Sequence, residues 1–336
     1  MAKIVLGIGT SHTPVLAMDA EHWKVRAEVD YNNPRLNMSD GRWVTYPELV
    51  AERGEPYAET ATLENFLKME ANCQRALDRL ADELAAAAPD VVVIVGDDQN
   101  ELFQPANQPA FAVFHGEELV MLSHEVMHGR YKQNAGGTWR EQLARNYAMD
   151  ESRRFPGHPE LATSLIQSLM DQDIDVGACG PIADTARSGF GHAYGFVIQR
   201  LFRGRPIPVV PVMVNTYYPP NVPTARRCHD IGRALRKAIE AFPGDLRVAV
   251  VASGGLSHFI VDEELDRRVI AGFSPGQAEL LRTLPRGALH SGSSEILCWI
   301  LAAGAMEGLQ PRWHEYQAVH RTPAGTGVGT AFAVWS

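Results

Sequence analysis

An α/β fold with a central, mostly buried β-sheet flanked by helices is what this sequence predicts, on three observations. Short β-branched runs alternate with segments of helical periodicity along nearly the whole length. Several of these runs, VVVIV at 91–95 above all, are apolar at every position and leave no side for solvent, as in strands covered on both faces. No Ser/Gly-rich linker or shift in composition divides the 336 residues, so a single domain over 1–336 is expected.

The strand candidates are KIVLGIG (3–9), DVVVIVG (90–96), AFAVFH (110–115), IPVVPVMVN (207–215), RVAVVAS (247–253) and GTAFAVW (329–335). The clearest helix is 64–88, where Leu77, Leu80 and Leu84 recur at helical spacing and Pro89 ends the run. Further helices are expected over 158–172, 224–242 and 294–308. Residues 17–63 differ: they are polar and rich in turn residues, with one short helix expected around YPELVAERG (46–54). A segment of that length and character is expected to be a lid or a subunit contact, and a homo-oligomer is the expected assembly.

The formal charge of −9 is spread along the chain, which gives no electrostatic support for a nucleic-acid or anionic-membrane surface. No apolar run approaches the roughly 20 residues that span a bilayer. The opening MAKIVLGIGTSH enters a strand pattern without a cleavage signal, so a cytoplasmic protein with a small-molecule role is expected. Cys73, Cys179, Cys228 and Cys298 are scattered and form no CxxC pair, which suits reduced thiols used as small core residues.

In α/β sheets ligands gather beyond the carboxyl ends of strands, and polar residues follow four of the apolar runs. They are His12, then Asp97, Asp98, Gln99 and Asn100, then Asn215, Tyr217 and Tyr218, and finally Ser257 and His258 ahead of the acidic VDEELD. These four strand ends can converge on one cleft. DEELD also reads as a solvated helix start, its acids complementing the helix dipole. His192, in GFGHAYGF, reads equally as a packing residue or as a partly desolvated imidazole available for proton transfer. His158 suits a helix start. His124 and His128 have i, i+4 spacing without the glutamate of a zinc hydrolase motif, and the absence of GxSxG disfavours a serine hydrolase.

The stretches GIGTSHTP, DVVVIVGDDQNELF, GHPELA, GFGHAYGF, VVASGGLSHFIVDEELDRRV and YQAVHRTPAGTGVGTAFAVW together resemble the class III, LigB-like extradiol ring-cleaving dioxygenases. Protocatechuate 4,5-dioxygenase β chains and gallate and methylgallate dioxygenases belong to that group. The resemblance covers nearly the whole chain, and the 17–63 insert looks most like the methylgallate branch. It implies a LigB-like fold, an Fe(II) ion held by two histidines and a glutamate, and a further histidine as acid/base. Position by position, His12 matches the first ligand, Glu264 the carboxylate and His192 the acid/base. Gln99 stands where many relatives carry the second histidine. Asp97, Asp98, Asn100 and His258 remain alternatives for that place. The implied reaction opens the ring of a catechol-type substrate such as protocatechuate, gallate or a methylgallate with O2, with His258, Asn215 and Tyr217 as substrate contacts. Two other readings stay open: a metal-poor binding or regulatory protein on the same fold, and a metal-dependent hydrolase or non-catechol oxygenase using the same cleft.

Overall fold

The structure is a computed structural model that describes residues 1–131 and 138–336. Its centre is an eight-stranded mixed sheet. In chain order the strands are β1 (Lys3–Thr10), β2 (Val91–Asp97), β3 (Phe111–Phe114), β4 (Gly177–Cys179), β5 (Val209–Val214), β6 (Arg247–Ser253), β7 (Pro311–His320) and β8 (Gly327–Trp335). They are arranged β7-β8-β1-β6-β2-β5-β3-β4. The four central strands β1, β6, β2 and β5 run parallel, while β8 and β3 join them antiparallel on either side. The register places Thr10 opposite Ser253 and Asp97 opposite Val214. The polar residues that follow the central strands therefore leave the sheet along one edge, as the sequence predicts.

Both faces are covered. Val91, Val93 and Val95 point into one apolar cluster, Val92 and Ile94 into the other, the period-two alternation of a strand buried on both sides. The first cluster is roofed by α2 (Pro159–Met170), α4 (Ala225–Ala241), α5 (Glu263–Ala271) and α6 (Ile296–Ala305), the second by α1 (Leu63–Ala87) and α3 (His192–Leu201). Thr62 caps the start of α1, accepting from the Asn65 backbone N–H. At its other end Ala88 turns left-handed, at φ 42°, just before Pro89. Helices α4 and α6 cross with their backbones nearly touching. A Cβ on Gly232 would lie 2.0 Å from the Leu301 carbonyl oxygen, and one on Gly304 would lie 2.2 Å from that of His229, so side chains are excluded at both positions.

The insert at 17–63 carries more regular structure than expected. The helix Tyr46–Arg53 forms with a capping box in which the Glu48 carboxylate accepts from the Thr45 N–H at 2.7 Å. A second helix, Trp23–Tyr31, and a short hairpin pairing Leu36–Asn37 with Trp43–Val44 accompany it. Leu36, Met38, Val44 and Leu49 pack on Ile260 and Ala324. The extra helix escapes a pattern reading because its burial rests on Trp23 and Asp30, and Asp30 is paired bidentately with Arg321, 291 positions away. Strand β7 was also missed, since charged and aromatic residues interrupt its apolar content at the sheet edge. Among the described residues no helix is long and apolar enough to cross a membrane, and all four cysteines are free.

Candidate active site

The loop after β1 buries His12 at the edge of the sheet, where its orientation is set by hydrogen bonds. Ser253, at the end of β6, donates its hydroxyl hydrogen to the Ala193 carbonyl at 2.7 Å, so its oxygen accepts from His12 Nδ1–H at 2.9 Å. In the neutral ring Nε2 then presents a lone pair, 3.2 Å from Glu295 Oε2 and 3.8 Å from Asp97 Oδ1. His12 Nε2 and Asp97 Oδ1 are buried, and neither has a hydrogen-bond partner. Acceptors facing one another out of water require a proton or a cation between them.

Glu295 is the hub. It ends the short 3-10 turn Ser291–Glu295 that leads into α6. Its Oε2 accepts from the Gly255 N–H at 2.6 Å, and its Oε1 accepts from the Tyr217 hydroxyl and the Gln99 amide, each at 3.3 Å. His258 donates Nδ1–H to the Leu256 carbonyl at 2.8 Å and turns Nε2 to within 3.4 Å of Glu295 Oε1. Burial alone would raise the Glu295 carboxyl, but the His12 and His258 imidazoles hold it well below the usual range. Burial and the charge of Glu295 push Asp97 the other way, upward.

A second unit adjoins this one. His192 opens α3 and donates Nδ1–H to Glu101 Oε1 at 2.8 Å, leaving Nε2 for the cleft. Its ring stands edge-on to His12 at 4.8 Å and to Tyr147 at 5.4 Å. Tyr147 in turn donates to the His12 carbonyl at 3.0 Å. Burial lowers the His192 pKa, but the Glu101 hydrogen bond and charge, with those of Asp97 and Glu295, outweigh it and bring it to about 9. The glycines of GFGHAYGF make this approach possible. A Cβ on Gly191 would sit 2.3 Å from the Glu101 carboxyl carbon, and one on Gly195 1.8 Å from the Tyr147 carbonyl oxygen.

Several expectations are redrawn. Glu264 is exposed in the first turn of α5, whose buried side is formed by Leu265, Asp266 and Val269. The carboxylate beside His12 is Glu295, in its place. Gln99 does face the cluster, donating its amide to Asp97 Oδ2 at 3.0 Å as well as to Glu295. Asp98 turns away and accepts from the Leu102 and Phe103 N–H groups at 2.7 and 3.1 Å. Asn215 spends its side chain on its own loop, donating to the Tyr218 carbonyl and Asn221 and accepting from the Tyr218 N–H. His158 caps α2, its Nδ1 accepting from the Leu161 N–H. The side chain of His128 lies outside the described residues. Glu101, Tyr147, Ser253 and Glu295 are the site residues that strand-end reasoning missed.

Within DEELD the inward acid is Asp266, which accepts from the Ser257 N–H and hydroxyl at 2.8 Å and from the Tyr316 hydroxyl at 2.7 Å. Burial outweighs these bonds and pushes its pKa up to about 6. An unfolded aspartate releases its proton near pH 4. The contribution of Asp266 is therefore whole below about pH 4 and declines as pH rises through 6, by roughly 3 kcal/mol. Asp266→Asn is expected to flatten that decline. Urea unfolding of both proteins at pH 4 and 7 checks it, and a wild-type advantage that stays constant between the two refutes it.

Residues 64–332 match the family described as the catalytic LigB subunit of aromatic ring-opening dioxygenase. The chain belongs to this family. Over 187 residues this LigB-family chain is 30% identical to the gallate dioxygenase of Pseudomonas putida, a stretch covering 52% of each protein. Over 168 residues it is 27% identical to the 2,3-dihydroxyphenylpropionate/2,3-dihydroxicinnamic acid 1,2-dioxygenase of Mycobacterium ulcerans, covering 46% of this chain and 48% of that one. The chain spans about half the length of the curated relatives it matches. LigB dioxygenases are generally metal-dependent, and the residues present fit a divalent cation. Ligand atoms of His12, Asp97 and His192 lie within 4.8 Å of one another, and His12 Nε2 and Asp97 Oδ1 are buried without a hydrogen-bond partner.

Proposed function

We propose that this chain is an Fe(II)-dependent extradiol dioxygenase that opens the ring of a catechol-type substrate with O2. The observation that carries the reading is the buried opposition of His12 Nε2, Asp97 Oδ1 and Glu295 Oε2 next to a histidine whose second nitrogen is free. His12, Glu295 and Asp97 would hold the ion, and Gln99 lies beside them with its amide on Asp97 and Glu295. Two carboxylates and one imidazole make a harder donor set than two imidazoles and one carboxylate. When bound, iron supplies the redox chemistry that allows O2 to react with an aromatic diol. The protein's own part is proton handling. Glu101 fixes the His192 ring with Nε2 toward the cleft, and a ring whose pKa is raised to about 9 would hold a proton there to give as the aromatic ring opens and to recover from a substrate hydroxyl. Burial of His12, Asp97 and Glu295 keeps bulk water from the reacting atoms. Protocatechuate, gallate and methylgallate are the substrates to try first, the insert being most like the methylgallate branch. Anaerobic loading with Fe(II), followed by O2 uptake across catechols, tests the reading. Iron-loaded protein that consumes no O2 with any catechol overturns it and leaves a hydrolase or a non-catechol activity.

The Gln99 amide favours a second reading, a binding or regulatory protein with little metal, because it already bridges Asp97 and Glu295 where an imidazole is the better donor. Gln99→His is expected to tighten Fe(II) binding by about tenfold or more, since even partners outside the ligand set alter metal affinity on that scale. Chelator competition on the two proteins decides. Equal or weaker retention in the variant places the loop outside the metal's reach.

A further inference from the structure

A cavity of about 100 Å³ lies between the loop 216–225 and the segment 286–291, with Leu297 of α6 in its wall. Much of the lining is apolar, from Val222, Pro223, Leu289 and Leu297. Two polar groups stand out in it. Thr216 is 3% exposed, and its hydroxyl oxygen is buried without a hydrogen-bond partner. Arg286 is exposed, and its Nη1 donates to the Val222 carbonyl at 3.2 Å, which ties one wall to the other and leaves further N–H donors on the guanidinium. Among the described residues no carboxylate pairs with it.

These features define a ligand. A buried hydroxyl without a partner costs free energy that a hydrogen-bonded ligand would recover, and a guanidinium matches a carboxylate best. An apolar cavity of about 150 Å³ takes benzene, so one of this size suits a body of about three or four carbons. It is too small for the ring of a catechol.

Both walls run to the metal site. Tyr217, in the lining beside Thr216, donates its hydroxyl to Glu295 Oε1 at 3.3 Å. Ser291, in the opposite wall, begins the 3-10 turn that ends in Glu295. The insert braces that wall, with the Asn37 amide donating to the Gly287 carbonyl at 3.4 Å and the Trp43 ring 5.9 Å from that of His290. A ligand that holds the two walls together therefore holds both Tyr217 and the turn, and these place Glu295.

We propose that this cavity binds a short-chain monocarboxylate and that the bound acid strengthens the grip of Glu295 on the metal, which makes it a regulatory site apart from the place of the aromatic ring. The effect on the metal rests on Glu295 being a ligand, as in the ring-cleavage reading. The binding does not.

Butyrate is the probe, and butyramide, of the same size and uncharged, is its control. Anaerobic titration calorimetry on the Fe(II)-loaded protein should show saturable butyrate binding about tenfold tighter than that of the amide, the margin between charge-assisted and neutral hydrogen bonds. Chelator competition should show iron affinity raised about fivefold or more by butyrate, the low end of coupling between sites. Thr216→Val removes a hydroxyl that has no partner to lose, and should weaken butyrate about 2- to 10-fold with the fold intact. Arg286→Met, at an exposed position, should erase the preference over butyramide. No saturable binding, equal binding of acid and amide, or affinities unchanged in both variants overturns the proposal. So does butyrate that binds without altering iron retention, or that alters it equally in Arg286→Met, since the acid would then act at the metal itself. O2 uptake with a catechol is read separately: its absence counts against ring cleavage and leaves the titration and the chelator result standing.

Discussion

Replacing His192 with phenylalanine is expected to lower turnover of a catechol by about 10²- to 10⁴-fold, the contribution of a positioned acid/base group, with metal content intact. The ring's position argues for this directly. Nδ1 is committed to Glu101 at 2.8 Å and the side chain keeps 17% exposure, so Nε2 is the nitrogen left to meet a substrate. A histidine serving only to pack would need no buried carboxylate behind it, nor a glycine at 191 to let that carboxylate approach. Phenylalanine preserves the ring contacts with His12 and Tyr147 and removes the proton. Single-turnover rates together with iron content per chain check the result. Turnover within about threefold of wild type returns His192 to packing.

Removing Glu295 should cost the protein its metal. Glu295→Ala is expected to abolish stoichiometric iron and to destabilise the fold by about 3–5 kcal/mol, because the Gly255 N–H, the Gln99 amide and the Tyr217 hydroxyl lose their shared acceptor in a buried site. His12 and His258 also turn Nε2 toward it, at 3.2 and 3.4 Å. Glu264→Ala, at an exposed position, is expected to keep full iron and to change stability by less than about 0.5 kcal/mol. Metal analysis of the two variants side by side separates the candidates. Iron lost from Glu264→Ala and kept in Glu295→Ala would reinstate the assignment suggested by family resemblance.

The contrast between these two glutamates shows what local patterns carry. His12, Gln99 and His258 were legible because each follows a run of strand-forming residues, and the parallel order of β1, β6 and β2 brings those ends together. Glu295 was hidden because it heads α6, whose next residues are nearly all apolar, so that SEILCWILAAGAMEG reads as a core helix. A carboxylate opening so apolar a helix has no solvent to face, and that was the available signal. Glu264 was chosen from a motif without regard to helix phase: in a helix starting at Glu263, the residues that turn inward are Leu265, Asp266 and Val269. Glu101 and Asp30 depend on partners 91 and 291 positions away, and no window of sequence contains both halves.

The place of β1 between β6 and β8 bears on how the protein comes off the ribosome. Ser11 receives a hydrogen bond from Ala331, 320 positions later, so β1 waits for β8, made long after it, before its second edge is covered. During that wait an apolar strand edge is open to pairing with other nascent chains, and the many distant contacts slow the closing step. His12 leaves the tunnel well ahead of its partners, and its surroundings are completed only when β6, Glu295 and the closing hairpin have arrived. Yield in a cell should therefore respond to growth temperature and to holding chaperones more than native-state stability alone suggests.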